Sequence, residues 1–301
     1  MNRFLGALAL AILCPIFIFA QHTEVTKEDA QTITGAKTFS GLTNIISLNG
    51  VQKCDQFAGA TIDVQLNACI WAAMANPVGA QGIADARGLG NGYIAGQVNV
   101  GGHSGSVLLL LPFNASWGVT ITNSSLCAFM LYNQSSMIGS GTGTEGSLMS
   151  IYNGSGSDVS GFVCTDPLPV SSASYVRAEG FALYNTAPTG TVGTAVLEAQ
   201  KLYDNSTFRY IDIYSTNGVT AMSVTSACCT VNFENVTIDC TSTGGCTPLA
   251  IGGTTPGVGV ENVAFYDLSA THAGPGLSNI TISANASNED INFYNLYLEQ
   301  N

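Results

Sequence analysis

A five-residue motif with apolar residues two positions apart recurs along most of this chain. Successive side chains of a β-strand point to opposite faces, so each copy predicts a strand with one buried face. The motif therefore predicts an all-β protein. Its copies are GVTIT (118–122), LMSIY (148–152), GFALY (180–184), YIDIY (210–214), NVTID (235–239), NVAFY (262–266), NITIS (279–283) and NLYLE (295–299).

The spacing of the motif indicates how the strands are arranged. Steps of 32, 30, 25 and 27 residues separate the first buried positions, Met149, Phe181, Ile211, Val236 and Val263. A step of roughly 20–30 residues is typical of a β-solenoid, in which each turn buries its apolar face against its neighbours. An immunoglobulin-type sandwich is the alternative, although it would show this spacing less regularly. The shorter steps to Ile280 and Leu296 predict a tighter turn or a capping hairpin.

A helical pattern precedes the strand-rich region. Asp63 stands near the start of this pattern, and Pro77 ends it. The apolar residues at helical spacing are Ile62, Leu66, Cys69, Ile70 and Ala73. We therefore expect a helix near residues 61–75. It would cover the open end of the strands, whose exposed edges would otherwise recruit other chains.

The composition excludes several classes of protein. With 46% hydrophobic and 9% charged residues, the chain is too apolar and too poor in charge to be disordered. Eight Lys and Arg against 20 Asp and Glu give a net charge of −12, which excludes a basic nucleic-acid-binding face. The 34 glycines argue against a long helical bundle.

The beginning of the chain predicts export. Residues 1–20 place Arg3 before an apolar run, the pattern of a signal peptide cleaved after Ala20. The run is short for a membrane span, and a retained N-terminal anchor is the alternative. Residues 21–50 are predicted to form a polar arm, and residues 51–301 the strand domain. We expect a secreted, cell-surface or periplasmic protein with no membrane span after cleavage.

The cysteines agree with export. Nine cysteines minus Cys14 leave eight, an even number that is typical of disulfides in exported proteins. Cys54–Cys69 and Cys240–Cys246 are the expected pairs, because their members are close in sequence. Zinc binding is not indicated, because the sequence has no CxxC pair. Free cysteines buried in the core are the alternative.

Two segments resemble known proteins. FAGATIDVQLNACIWAA (57–73) and GIADARGLGNG (82–92) resemble the opening of pectate-lyase-superfamily domains, related to polygalacturonase- and rhamnogalacturonase-like proteins. The resemblance implies a right-handed parallel β-helix with an N-terminal capping helix, and a lyase or glycoside hydrolase that acts on polysaccharide. QTITGAKTFSG (31–41) resembles a short segment of phage tail-fibre and tail-spike proteins, which implies a homotrimer.

The catalytic pattern of these enzymes does not carry over to this chain. Polygalacturonase-type hydrolases carry grouped aspartates, a Gly-His-Gly and an Arg-x-Lys, whereas this sequence has no adjacent Asp pair and no Arg-x-Lys. Pectate lyases combine acidic calcium ligands with an Arg or Lys base, and the strand region offers Arg177, Arg209 and Lys201. No catalytic residue is therefore assigned from the resemblance.

The expected stacking predicts a candidate glycan-binding column on the outer face. The third position after each buried reference residue should line up from turn to turn. That column contains Tyr152, Tyr184, Tyr214, Asp239, Tyr266, Ser283 and Glu299. Aromatic rings can stack on the apolar faces of sugars, and carboxylates accept hydrogen bonds from sugar hydroxyls. The alternative is that the stacked tyrosines only stabilise the sheet.

Asp212 and Asp239 are the candidate catalytic residues. They would lie on adjacent turns, and two carboxylates about 5–10 Å apart can serve as general acid and base in glycoside hydrolysis. Crowding of the two would raise the pKa of one carboxyl, as a general acid requires. Solvated carboxylates without a catalytic role are the alternative. No cofactor is predicted. Calcium could bind clustered aspartates, but no Asp-x-Asp-x-Asp-Gly loop is present.

Three functions remain open on the sequence alone. The first is an exported enzyme that acts on polysaccharide, and the second is a non-catalytic glycan-binding or adhesive protein similar to tail spikes. The third is a structural surface protein. The resemblance favours the first function, whereas the lack of a dense acid/base cluster favours the second.

Overall fold

The computed structural model describes residues 51–75, 77, 81–102, 105–141, 149–154, 156–165, 173–185, 191–216, 219–240, 246–252, 259–274, 277–284 and 288–299. The predicted signal peptide (1–20), the polar arm (21–50) and the tail-fibre-like segment (31–41) lie outside these residues. Every described residue belongs to one compact unit, Ile46–Asn301.

The described residues form an all-β structure with one α-helix, as predicted. Helix α1 spans Ile62–Ala75, and a 3-10 turn at Cys54–Gln56 precedes it. The strands are β1 (Val51–Lys53), β2 (Gly82–Asp85), β3 (Gly92–Ile94), β4 (Val98–Val100), β5 (Val107–Leu110), β6 (Ser116–Val119), β7 (Thr122–Leu131), β8 (Ser136–Ile138), β9 (Ser150–Asn153), β10 (Asp158–Thr165), β11 (Ala173–Ser174), β12 (Arg177–Asn185), β13 (Thr191–Val192), β14 (Ala195–Gln200), β15 (Leu202–Tyr203), β16 (Ser206–Ser215), β17 (Thr220–Thr225), β18 (Val231–Asp239), β19 (Thr247–Ile251), β20 (Glu261–Tyr266), β21 (Ser269–Thr271), β22 (Ile280–Ile282), β23 (Glu289–Tyr294) and β24 (Tyr297–Glu299).

The named strands pair in parallel and form two large sheets and one small sheet, in which β11 pairs with β15. One large sheet runs in the order β4-β7-β10-β14-β17-β19-β22, with β13 beside β10. The other large sheet has 14 strands in two rows. We call the order β1-β2-β5-β8-β12-β16-β18-β20-β23 the first row. The second row contains β3, β6 and β9, the carboxyl halves of β12, β16 and β18, and then β21 and β24. Stacked parallel strands in this order are compatible with a β-helix.

Like-placed residues stack in the part of the chain where the motif is most regular. Phe181 aligns with Ile211, and Ile211 aligns with Val236, as predicted. All three side chains are buried. The period-2 pattern therefore forms a continuous apolar column, because each strand presents its buried residue to the same side as its neighbour does.

The stacking predicted for the later motifs is wrong in two places. Val263 aligns with Val231 rather than with Val236, so β20 continues the first row. Ile280 lies in β22, which pairs with β19 of the other large sheet. The short steps to Ile280 and Leu296 therefore do not reflect a tighter turn, because the three motifs belong to different rows.

Residues with positive φ mark the junction between the two rows. Gly180, Tyr210, Asn235, Asp267 and Asn295 occupy equivalent positions at this junction, with φ between 51° and 75°. Glycine adopts this left-handed conformation freely, and Asn and Asp adopt it more readily than other residues. In GFALY, YIDIY, NVTID and NLYLE the first residue of the motif is therefore a corner, and the alternating residues after it form the next strand. In GVTIT, by contrast, Gly118 lies within β6 and has no positive φ.

Helix α1 packs against β1–β5 at one end of the sheets, at the position predicted for the helix. Its polar side chains satisfy backbone groups of the connection between β3 and β4. Asp63 Oδ1 accepts a hydrogen bond from Ala95 N at 2.9 Å, and Asn67 Nδ2 donates to Gln97 O at 2.8 Å. The helix therefore supplies hydrogen-bond partners to backbone groups that would otherwise need others. Within the described part of the chain, no helix has the length and apolarity needed to cross a membrane.

Eight cysteines pair at disulfide distance. Cys54–Cys69 and Cys240–Cys246 are paired as predicted, with Cα–Cα distances of 5.1 Å and 5.4 Å. Cys127–Cys164 and Cys228–Cys229 are further pairs that the sequence did not predict. Four disulfides fit a protein that folds in an oxidising compartment.

Candidate functional site

The outer side of the second row carries most of the predicted column. The strand register aligns Tyr152 with Tyr184, Tyr184 with Tyr214, and Tyr214 with Asp239. The column continues through Thr271 to Glu299, so Glu299 belongs to it as predicted, although Thr271 replaces the expected Tyr266. The placement predicted for Ser283 is wrong, because its backbone N–H donates to Ile251 of the other large sheet. We call the surface around this column, together with Asp212 and His272, the tyrosine–acid face.

Tyr184 and Tyr214 form a closely stacked pair. Their ring centroids are 4.8 Å apart and their planes differ by 4°. Burial and the charge on Asp212 raise the pKa of both phenols. Both hydroxyls therefore stay protonated and keep their capacity to donate hydrogen bonds.

The face of Tyr214 that points along the column toward Asp239 is not covered by another ring of this column. The next position holds a carboxylate side chain, and the position after it holds Thr271. An aromatic ring next to carboxylates suits the apolar face and the hydroxyls of a sugar ring. Tyr214 is thus the point of the column where stacking and hydrogen bonding could act on one sugar.

The column also extends in the other direction, to a residue that the motif did not identify. Gly118 aligns with Tyr152 on one side and with Tyr93 on the other. A Cβ atom on Gly118 would lie 2.9 Å from Tyr152 Oη and 3.1 Å from Tyr93 Cδ1. Glycine at this position therefore leaves room for both tyrosine rings.

Tyr266 lies outside the tyrosine–acid face. It aligns with Glu234 of β18 and stacks on Tyr294 at 4.8 Å between ring centroids, both on the first row. The placement predicted for Tyr266, next to Asp239, is therefore wrong. The reason is that NVAFY starts at Asn262, a positive-φ corner at the start of the first row, whereas NVTID starts at the junction of the rows.

Asp212 lies beside the stacked tyrosines. It is two residues before Tyr214 on β16, so the two side chains point to the same side of the sheet. Burial raises the pKa of the Asp212 carboxyl, and a hydrogen bond with Thr237 on the next strand opposes that effect. The neighbour on the other side is Ala182, which is fully buried. Asp212 is therefore a partly desolvated acid, as a proton donor requires.

Asp239 pairs with a histidine that the sequence analysis did not identify. His272 Nδ1 and Asp239 Oδ1 are 2.8 Å apart, and both side chains are partly exposed. His272 follows Thr271 directly at a corner with φ of 58°. The carboxylate fixes the orientation of the ring, which leaves Nε2 as the second nitrogen able to bind or transfer a proton. The loop-like sequence THAGPG gave no indication of this pair, which needs the alignment of Thr271 with Asp239.

Glu299 forms a local contact at the end of the column. It accepts a hydrogen bond from Tyr297 Oη at 3.0 Å, and both residues are exposed. This bond and the charge of Glu299 raise the pKa of the Tyr297 phenol.

The basic residues offered as possible lyase bases lie outside this face, and Lys201 directly follows β14 of the other large sheet. Arg177 and Arg209 are on the first row, and both form ion pairs with Glu179. Paired guanidinium groups on a different row do not suit the role of a base that acts at Asp212 or Asp239.

No metal site emerges at the tyrosine–acid face among the residues that the structure describes. The candidate cluster that they do contain consists of Cys127, Cys164 and Glu198, whose possible ligand atoms lie within 4.8 Å of one another. The two cysteines are paired at disulfide distance, and a disulfide does not supply the thiolate that binds metals. The cluster is therefore better explained as a disulfide beside a half-buried acid.

Comparisons with protein-family models, with curated proteins and with solved structures find no match to this chain. The resemblance of residues 57–73 and 82–92 to the pectate-lyase superfamily therefore stays a prediction, and the site has to be interpreted from its own geometry.

Proposed function

We propose that this chain is an exported, right-handed parallel β-helix protein that binds polysaccharide on its tyrosine–acid face. The observation that carries the proposal is the aligned column in which a stacked tyrosine pair ends beside Asp239. The disulfides support export, and the parallel rows support the β-helix. A trimer similar to tail spikes belongs to the same proposal, and the mass of the mature protein in solution tests it.

The chemistry of the face favours a neutral glycan. Asp212, Asp239 and Glu299 are acids, and the whole chain carries a net charge of −12. An acidic polysaccharide would be repelled by this charge, whereas the hydroxyls of a neutral sugar can donate to the carboxylates. An extended glycan would then lie along the tyrosine column, parallel to the direction in which the strands stack.

The test is retention of the mature protein on a panel of insoluble neutral and acidic polysaccharides. Tyr214→Ala should weaken binding to a neutral polysaccharide about tenfold or more, because it removes the central aromatic group of the face. Tyr266→Ala is the matched control, since Tyr266 is also stacked on a tyrosine but lies on the first row. Equal binding by the two variants would contradict the proposal.

Glycoside hydrolysis is a second candidate, favoured by Asp212 and by the Asp239–His272 pair. A desolvated Asp212 could give its proton to the leaving glycosidic oxygen, while Asp239, oriented by His272, activates water. Polysaccharide lyase activity is less well supported, because Arg177 and Arg209 are paired with Glu179.

Products released from a bound polysaccharide separate these possibilities. A hydrolase would release reducing ends, and Asp212→Asn would abolish that release. It should weaken retention on the polysaccharide much less than Tyr214→Ala does, because the Asn amide oxygen still accepts a hydrogen bond. Unsaturated products that absorb in the ultraviolet would instead indicate a lyase. Retention without either product would reject both activities and leave the binding function.

A further inference from the structure

A groove of about 480 Å³ lies against helix α1, away from the tyrosine–acid face. Ile70, Trp71 and Met74 of the helix line it on one side. Asn99 of β4, Tyr132 and the backbone of residues 101–102 line the other side. Its volume is within the range of pockets that hold small ligands.

Trp71 is the unusual residue of this groove. The chain has two tryptophans; Trp117 is fully buried, whereas Trp71 is 74% exposed. Its neighbour Ile70 is almost fully buried, so the helix is well packed and presents Trp71 outward. An exposed indole offers a large rigid apolar plane together with one N–H donor.

The polar side of the groove is held in place by hydrogen bonds. Asn67 uses both ends of its amide, because its Nδ2 donates to Gln97 O and its Oδ1 accepts from Asn99 N. Asn99 Oδ1 accepts from Gln97 Nε2 at 2.8 Å and from Tyr132 Oη at 3.3 Å. Asn99 Nδ2 has no hydrogen-bond partner among the described residues, so its two donors remain for a ligand.

Among the lining residues that the structure describes, none has a charged side chain. A fixed amide donor beside an apolar aromatic plane matches a sugar ring, which has an apolar C–H face and a rim of hydroxyls. The net charge of −12 disfavours an anionic ligand. A neutral saccharide therefore fits the groove better than a uronic acid does.

We propose that this groove is a second binding site, in which a neutral saccharide stacks on Trp71 and accepts a hydrogen bond from Asn99 Nδ2. The site does not depend on the tyrosine–acid face. It lies where α1 meets β4, whereas the tyrosine column lies on the second row of the 14-stranded sheet.

Tryptophan fluorescence of the mature protein tests this proposal directly, because Trp117 is buried and the response of Trp71 dominates. Titration with neutral oligosaccharides, such as cello-, xylo- and manno-oligosaccharides, should shift the emission to the blue and protect it from acrylamide quenching. An oligogalacturonide should produce a much weaker response. No response to any neutral sugar would overturn the proposal.

Variants and calorimetry provide the second measurement. Trp71→Ala should weaken binding of the responding oligosaccharide about tenfold, because it removes the stacking surface. Asn99→Asp keeps the acceptor for Gln97 and Tyr132 but removes the donor, so it should also weaken binding. Val64→Ala is the matched control, since Val64 is an exposed apolar residue of α1 outside the groove.

The outcomes separate this site from the tyrosine–acid face and from a protein partner. Tyr214→Ala should leave the fluorescence response of Trp71 unchanged even if it abolishes retention on polysaccharide. Equal affinity of Trp71→Ala and Val64→Ala for the oligosaccharide would overturn the proposal. So would a Trp71→Ala variant whose only difference is a smaller mass in solution, because the groove would then hold a second copy of the chain.

Discussion

Asp212 is a partly buried carboxyl of the tyrosine–acid face, and burial raises its pKa above the ordinary value. Its burial disfavours the charged form, and the hydrogen bond with Thr237 compensates this only in part, since the pKa stays raised. The carboxyl also raises the pKa of Tyr184 and Tyr214. A single partly buried acid therefore keeps both itself and its neighbours in their protonated forms over a wider pH range.

Asp212→Asn should stabilise the protein at neutral pH and have little effect in acid. The folded state binds the proton more tightly than the unfolded state, so the penalty is present above the raised folded pKa and disappears below the ordinary value of 3.8. We expect the melting temperature to rise by about 2–4 °C at neutral pH. The difference should vanish at about pH 3.

Melting curves of the two proteins over this pH range provide the measurement. Asp55→Asn serves as the control, because Asp55 is an exposed carboxyl outside the face. A stabilisation by Asp212→Asn that is equally large in acid would contradict the assigned role of burial.

His272 shows what residue types alone could not predict. Asp239 was identified because it follows a clear strand pattern, but its partner follows Ser269–Thr271, a strand of small residues in which the alternation is weak. The contact joins residues 33 apart in sequence. Only the alignment of β18 with β21 brings the two side chains together, and composition carries no information about that alignment.

Five described copies of the motif, GFALY, YIDIY, NVTID, NVAFY and NLYLE, encode a corner and the strand after it as one element. A left-handed residue turns the chain, and the alternating residues that follow bury one face. Both corners of the 14-stranded sheet use this chemistry: Asn235 lies between the two rows, and Asn262 begins the first row. The element could therefore be predicted from the sequence, whereas the row to which each copy belongs could not. Tyr266 was misplaced for this reason.

Asn235→Val should destabilise the protein by about 1–3 kcal/mol, because a β-branched residue is strained at the φ of 51° found there. Asn235→Gly should change the free energy of unfolding by only a few tenths of that amount, since glycine adopts this conformation freely. Denaturant unfolding of both variants measures the difference. Asn232→Val, in the same strand but without a positive φ, is the control. Similar losses for the two valine variants would show that the corner is not strained.

At the scale of the whole molecule, stability depends on contacts between neighbouring strands of a row. Phe208, Phe233, Phe265 and Phe293 stack one on the next, with centroids between 4.9 Å and 5.2 Å apart. A stack of this kind couples each strand, with the turn of chain to which it belongs, to its two neighbours in the row and only weakly to distant strands. We call each such turn a layer. One end of the rows is covered by α1, whereas Tyr294, Tyr297 and Leu298 of the last strands are exposed.

The coupling between layers can be measured with double variants. Phe208→Leu and Phe233→Leu touch the same interface, so their effects on the free energy of unfolding should depart from additivity by about 0.5–3 kcal/mol. Phe233→Leu combined with Leu109→Ala should be additive, because β5 and β18 are four strands apart in the first row, about 19 Å. Equal coupling in the two pairs would mean that the strands unfold as one globular core. Coupling confined to adjacent layers would support the repeated winding on which the proposed saccharide track depends.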